Sequence, residues 1–204
     1  MIYFKNILGG LIFGLSMMTS PHLYALDLNP LSAIKGIVDA AVEDRSSEDI
    51  AKDLEIKAQI TADVIDTLGT KVISINSDVY EQNVMLTGVV DNAALKIKAG
   101  TLAKGVEGVK RIYNEMKVID PLSKKKGAAE AFVDDTVIES KINALLLDGE
   151  GVNVTNMRWR SVLGDVFLFG RALSVNERDK AIAIVKGIKN VLSVTSRIAV
   201  HPKK

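Results

Sequence analysis

Residues 54–118 and 136–200 repeat one pattern, offset by 82 positions without a gap, and 15 of the 65 aligned positions are identical. The apolar rhythm is kept even where identity lapses. Ile56, Ile60, Val72, Val84, Leu86, Gly88, Gly105 and Val109 fall on Ile138, Ile142, Val154, Val166, Leu168, Gly170, Gly187 and Val191. A gapless internal repeat of this length means two copies of one small domain. Each copy has about 65 residues, near the lower limit for independent folding, so contact between the copies is expected.

Within each copy the periodicity predicts the order α-β-β-α-β. In the first, Ser46 followed by Asp49 opens a helix, with Leu54, Ile56, Ile60, Val64, Ile65 and Leu68 as its apolar face. Strands are expected at 72–75 and 84–90, with Asn76-Ser77-Asp78 and Gln82-Asn83 forming the turn between them. Asp91 is expected to cap a second helix over about 92–104, with Leu95, Ala99, Leu102 and Ala103 inward, and 109–118 forms the last strand. In the second copy, Asp134 and Asp135 are read as the N-terminus of a helix carrying Ile138, Ile142, Leu145 and Leu146. Strands follow at 152–160 and 166–171, then a helix at 174–187 with a Ser174–Glu177 capping box, then a strand at 191–200. The expected structural turns are Gly88, Gly105, Gly108, Gly170, Gly187 and Asn190. Gly108 aligns with Asn190, a common substitute where the backbone turns left-handed.

The first residues read as an export signal. Lys5 precedes an apolar run from Ile7 to Met18, Pro21 breaks it, and Ala25 precedes an expected cut. The run is shorter than the roughly 20 residues of a spanning helix; an uncleaved anchor is the alternative. Residues 26–45 form an N-terminal helical segment whose stripe is Leu31, Ile34, Ile37, Val38, Ala41 and Val42. It is expected to pack on the first domain, with a membrane-surface helix as the alternative. The remaining divisions are a first domain at 46–119, a linker at 120–133, a second domain at 134–200 and a tail at 201–204.

Reactive chemistry is scarce. The chain has no cysteine, which excludes disulfides, thiol catalysis and an acylated cysteine within these residues. Of its two histidines, His22 lies in the signal segment and His201 in the tail. No cluster has metal-ligand spacing, so neither metal nor cofactor is expected, and no enzyme activity. Asp134-Asp135 is better read as a helix-terminal pair than as catalytic carboxylates. With 26 basic and 25 acidic residues, and Lys5 lost with the signal, the mature charge is near zero. That balance argues against nucleic acid as partner, and the KH-like spacing of Gly105 and Gly108 does not overturn it. The most suggestive local feature is Arg158-Trp159-Arg160, with the only tryptophan. Trp159 is a candidate wedge at lipid headgroup level, Arg158 and Arg160 candidate phosphate partners, and Lys124, Lys125 and Lys126 a source of attraction to an anionic surface. The alternatives are a tryptophan covering a core edge and a solvated lysine linker.

Each copy resembles a BON domain, the module of Gram-negative envelope proteins. The resemblance rests on 84–90 (VMLTGVV) with 105–109 (GVEGV), and on 166–172 (VFLFGRA) with 187–191 (GIKNV), each behind a helix with an Asp and an Ile. It implies an α+β fold of two tandem αββαβ domains, each a three-stranded sheet covered by two helices. It also implies a periplasmic protein binding anionic phospholipid peripherally and supporting envelope integrity or stress tolerance. An interaction or chaperone-like role toward envelope proteins is the alternative. Lipoprotein members carry an acylated cysteine that this chain lacks, and the family offers no catalytic residues to carry over.

Overall fold

The computed structural model describes residues 44–69, 75–119 and 128–202, with the backbone alone over 128–133. The expected signal peptide, the Leu31–Val42 stripe and Lys124, Lys125 and Lys126 lie outside the described residues. The first module runs α1 (Ser47–Leu68), β1 (Asn76–Tyr80), β2 (Asn83–Thr87), β3 (Val89–Val90), α2 (Ala93–Gly105), β4 (Arg111–Asn114) and β5 (Lys117–Val118). The second runs α3 (Ala128–Leu147), a 3-10 turn (Val154–Asn156), β6 (Met157–Val162), β7 (Asp165–Ala172), α4 (Val175–Lys186) and β8 (Ser193–Val200). The fold is α+β, and each module is an αββαβ unit.

The two modules share one register. β1 pairs antiparallel with β2, and β2 pairs parallel with β4, from Asn76↔Thr87 to Leu86↔Asn114. Adding 82 to both partners of every pair gives the pairings of β6, β7 and β8, from Arg158↔Phe169 to Leu168↔Ser196. The β3–β5 pairs Val89↔Lys117 and Val90↔Val118 likewise become Arg171↔Ala199 and Ala172↔Val200, continuous with β7 and β8. The cores repeat too. Ile56, Ile60, Val64, Val84, Leu86, Val90, Ala99, Ala103 and Met116 form one. Ile138, Ile142, Leu146, Val166, Leu168, Ala172, Ala181, Val185 and Ile198 form the other.

Several local expectations are corrected. Asn76-Ser77-Asp78 is strand, and the turn is Glu81-Gln82. Strand pairing across the sheet overrides the turn preference of these three polar residues. Both turn residues have positive φ (50° and 59°), as do Leu163 (56°) and Gly164 (80°) at the same place in the second module. That is the pattern of a two-residue type I′ hairpin. The second hairpin therefore turns at Leu163-Gly164, and Asp165 begins β7. The 152–160 strand narrows at its front to β6 from Met157, behind the 3-10 turn. Asn92, not Asp91, caps α2 by accepting from the Leu95 N–H at 2.9 Å. Leu54, Ile65 and Leu145 are not inward residues of their helices. α3 begins at Ala128, inside the expected linker, so Asp134 and Asp135 lie within the helix instead of opening it.

The positional use of Asp135 then becomes plain. Its carboxylate accepts from the Leu163 N–H at 2.6 Å, the Gly164 N–H at 2.9 Å and the Ser161 hydroxyl at 2.6 Å. Asp53, its equivalent 82 positions earlier, accepts from the Glu81 and Gln82 N–H groups at 2.8 Å each, and from the Gln82 amide at 3.0 Å. A type I′ turn leaves its N–H groups pointing at the neighbouring helix, and one helical carboxylate per module satisfies them.

The left-handed turn holds as expected: Gly108 has φ +84° and Asn190 φ +73°. Gly170 has φ +112°, and a Cβ there would fall 2.2 Å from the Asn156 carbonyl oxygen. Gly105 and Gly187, in contrast, end their helices without positive φ.

Candidate binding surfaces

Alternation along each strand decides what the modules have left to offer. One face of every strand lies under its own helices. On β2 this face is Val84 and Leu86; on β7 it is Val166 and Leu168. The intervening residues point the other way. There Met85, Tyr80, Phe167, Phe169 and Val162 gather into a third apolar cluster drawn from both modules. Tyr113 meets Phe169 edge-on at 6.0 Å between ring centroids. The two sheets thus pack face to face, and helices cover only their outer sides. This explains why β1, β2, β6 and β7 are buried along most of their length.

The contact is related to itself by a pseudo-two-fold operation. Asp78 and Arg160 occupy equivalent repeat positions, and they bind each other. Arg160 donates from Nε at 2.8 Å and from Nη2 at 3.0 Å, a bidentate fork on one carboxylate. Glu115 and Arg197 are also equivalent, and Arg197 Nε donates to Glu115 at 2.7 Å. A residue can touch its own counterpart only close to a two-fold axis. The charges, however, are sorted by module. Asp78, Glu81 and Glu115 from the first face Arg160, Arg171 and Arg197 from the second, with Lys117–Asp165 reversed. Such sorting favours first-to-second contact over pairing of like modules. Asp44 adds a further tie, accepting from Asn153 and Asn156 at 3.1 and 3.2 Å, while the Tyr80 hydroxyl donates to Asn156 at 3.1 Å.

Ionisation at the contact is set by burial and by these pairs. Burial pushes the Asp78 carboxyl up, but Arg160, then Lys57 and Arg158, overcome that and hold it below its ordinary value. Burial raises Asp165 likewise, and the hydrogen bonds from Lys117 and Ser193 bring it below. Glu139 goes the other way: burial outweighs Arg160 and the Ser161 N–H, and its carboxyl is raised.

Arg158, Trp159 and Arg160, expected together at a lipid surface, are not brought onto one face. Trp159 is 8% exposed and belongs to the second module's core. Arg158 and Arg160 lie on the opposite strand face, because neighbours on a strand point to opposite sides. Arg160 is engaged by Asp78. Arg158 donates to the Thr155 and Met157 carbonyls at 2.9 and 3.0 Å and lies 5.5 Å from the Tyr80 ring centroid. Trp159 is therefore a core residue and no wedge, and the three do not form one surface. The strand period was the available signal: Met157, Trp159 and Ser161 share a side that the arginines do not.

What stays outside is the helical exterior and the loops. Among the described residues no helix is long and apolar enough to cross a membrane, and no group of three His, Cys, Asp or Glu could hold a metal ion. Near the hairpin end of the first module, an open cleft of about 360 Å³ is lined by Lys104, Val109, Lys110, Arg111 and Ile112. Sequence reasoning passed over these cations because they are spread over α2, a turn and β4.

Comparison with known proteins agrees with the duplicated architecture. The BON domain model matches residues 52–120 and again 134–202. The chain is 30% identical over 160 residues to the outer membrane lipoprotein DolP of Haemophilus influenzae, covering 78% of this chain and 74% of that protein. It is 31% identical over 142 residues to the osmotically-inducible protein Y of Escherichia coli, covering 70% and 69%. It is 27% identical over 167 residues to a 21 kDa hemolysin of Actinobacillus pleuropneumoniae, covering 82% and 76%. Two matched domains in the order and register that the repeat dictates place this chain in the BON-domain family.

Proposed function

We propose that the protein is a non-enzymatic component of the bacterial envelope that binds anionic phospholipid at a membrane surface and supports envelope integrity or stress tolerance. Relatives named for the outer membrane and for osmotic induction support the envelope setting. The observation that carries the reading is the use of both sheet faces: one covers the module's own core and the other covers its partner module. Ligand contact is left to the helices and loops, where exposed lysines suit an anionic plane. The chain has no cysteine to carry a lipid, and the proposed contact is peripheral, made by protein surface. The periplasm, reached by the expected signal peptide, is the proposed compartment.

Flotation of the full chain with phosphatidylcholine vesicles, with and without phosphatidylglycerol, tests this. Binding is expected only with the anionic lipid, weakening as salt rises. A chain that never floats but co-purifies with another envelope protein would replace this reading with a protein-interaction role.

A further inference from the structure

The cleft at the hairpin end of the first module holds three cations in a chain whose overall charge is only +1. Lys104 stands on the last turn of α2, Lys110 on the turn that follows and Arg111 at the start of β4; all three are exposed. The hydrogen-bond partners of Lys110 and Arg111 are neutral. Lys110 Nζ donates to the Gln82 amide oxygen at 2.7 Å, and Arg111 Nη1 donates to the Tyr113 hydroxyl at 3.1 Å. Among the described residues no carboxylate forms an ion pair with any of the three. Glu107, on the same turn, does not line the cleft. The other two lining residues, Val109 and Ile112, are half-buried and apolar.

The duplicated copy shows that the fold does not demand this arrangement. Its equivalents are Lys186, Leu192 and Ser193, so one of the three positive charges remains. That module keeps the same helix, turn and strand register without the other two. Leu192, where Lys110 stands in the first copy, is 76% exposed. The shared helix, turn and strand register therefore does not require cations at 110 and 111, which in the first module also donate to Gln82 and Tyr113. Three cations without an ion-pair partner, around an open, partly apolar floor, suit a singly or doubly charged phosphate whose oxygens can take the donors they have left.

We propose that Lys104, Lys110 and Arg111 form a phosphate site in the first module that takes the headgroup phosphate of an anionic phospholipid. This rests on the proposed membrane function and locates its contact away from the Arg158-Trp159-Arg160 segment. A free phosphate or phosphomonoester has the same chemistry and is the other source to be distinguished.

The test uses the full chain with Lys104→Gln and Arg111→Gln together, both exposed, and with the fold checked by thermal melting. The control pair is Lys186→Gln with Lys189→Gln, the same loss of charge on the second module. Vesicles of phosphatidylcholine with about 30% phosphatidylglycerol should lose at least about tenfold in affinity for the cleft pair, and no more than about twofold for the control. Equal losses from both pairs would overturn the cleft while leaving membrane binding in place. Wild-type protein that ignores vesicles, but whose Lys110 and Arg111 amide resonances shift with millimolar inorganic phosphate or glycerol phosphate, would keep the anion site and overturn its lipid assignment. No vesicle binding and no shift would remove both.

Discussion

Arg160→Met isolates what joins the modules. Asp78 is buried, and the Arg160 fork is the main reason it stays ionised there. Removing one member of a buried pair strands the other charge, at about 3–5 kcal/mol. Lys57 and Arg158 still face Asp78, so the lower figure, about 3 kcal/mol, applies here. For a chain of this size that is roughly 6–12 °C in Tm. Replacing both residues, Arg160→Met with Asp78→Leu, removes both charges of the fork, and with them two opposing influences on Glu139, and extends the adjacent apolar cluster of Tyr80, Val162 and Phe167. The double variant should return to within about 1 kcal/mol of the parent, a coupling of about 2 kcal/mol or more. Denaturant melts of the four proteins measure it. Acid provides a second reading of the same pair. Asp78 has a folded value below its unfolded one, so its contribution is full above about pH 3.9 and is lost as pH falls through the lower folded value. The double variant should accordingly lose less stability than the parent in that acid range. If the two single losses simply add in the double variant, within about 0.5 kcal/mol, the pair does not couple the modules and the packing argument fails.

Three further outcomes follow from the geometry. Trp159, the sole tryptophan and a core residue, should show a blue-shifted emission that anionic vesicles leave unchanged; a vesicle-induced shift would contradict its burial. Gly170→Ala, with a clash against the Asn156 carbonyl and φ +112°, should cost at least about 2 kcal/mol in urea melts, whereas Asn190→Gly at φ +73° should change stability by less than about 0.5 kcal/mol. Glu139 has a raised folded value, so its ionised form costs stability as pH rises through that value. Glu139→Gln, which keeps an acceptor for the Ser161 N–H, should be more stable than the parent by up to about 1 kcal/mol at pH 7, with the gain vanishing below the ordinary carboxylate range.

The duplication, the element order and the two cores were legible in the residues alone. Helical and strand periods report which side chains face a module's own interior, and that information is local. The left-handed turn was legible for the same reason: Gly108 and Asn190, at one repeat position, are the two residue types that adopt that conformation most readily. Turn chemistry at 76–78 misled, because three polar residues with turn preference are held in a strand by pairing with Met85, Leu86 and Thr87. Asp135 misled for a related reason, since a carboxylate near a helix start looks like a cap until the hairpin it serves is seen beside it.

The sequence by itself determined that this chain is two related αββαβ units with little catalytic equipment. Only the tertiary structure decided which surfaces those units keep. Equivalent residues such as Asp78 and Arg160 lie 82 positions apart, and nothing local in either tells that they meet. Their meeting depends on two sheet faces being complementary in shape and opposite in charge, a property of the assembled pair. That contact buries the outward apolar residues of both sheets, while Trp159 is buried separately, beneath its own module's helices.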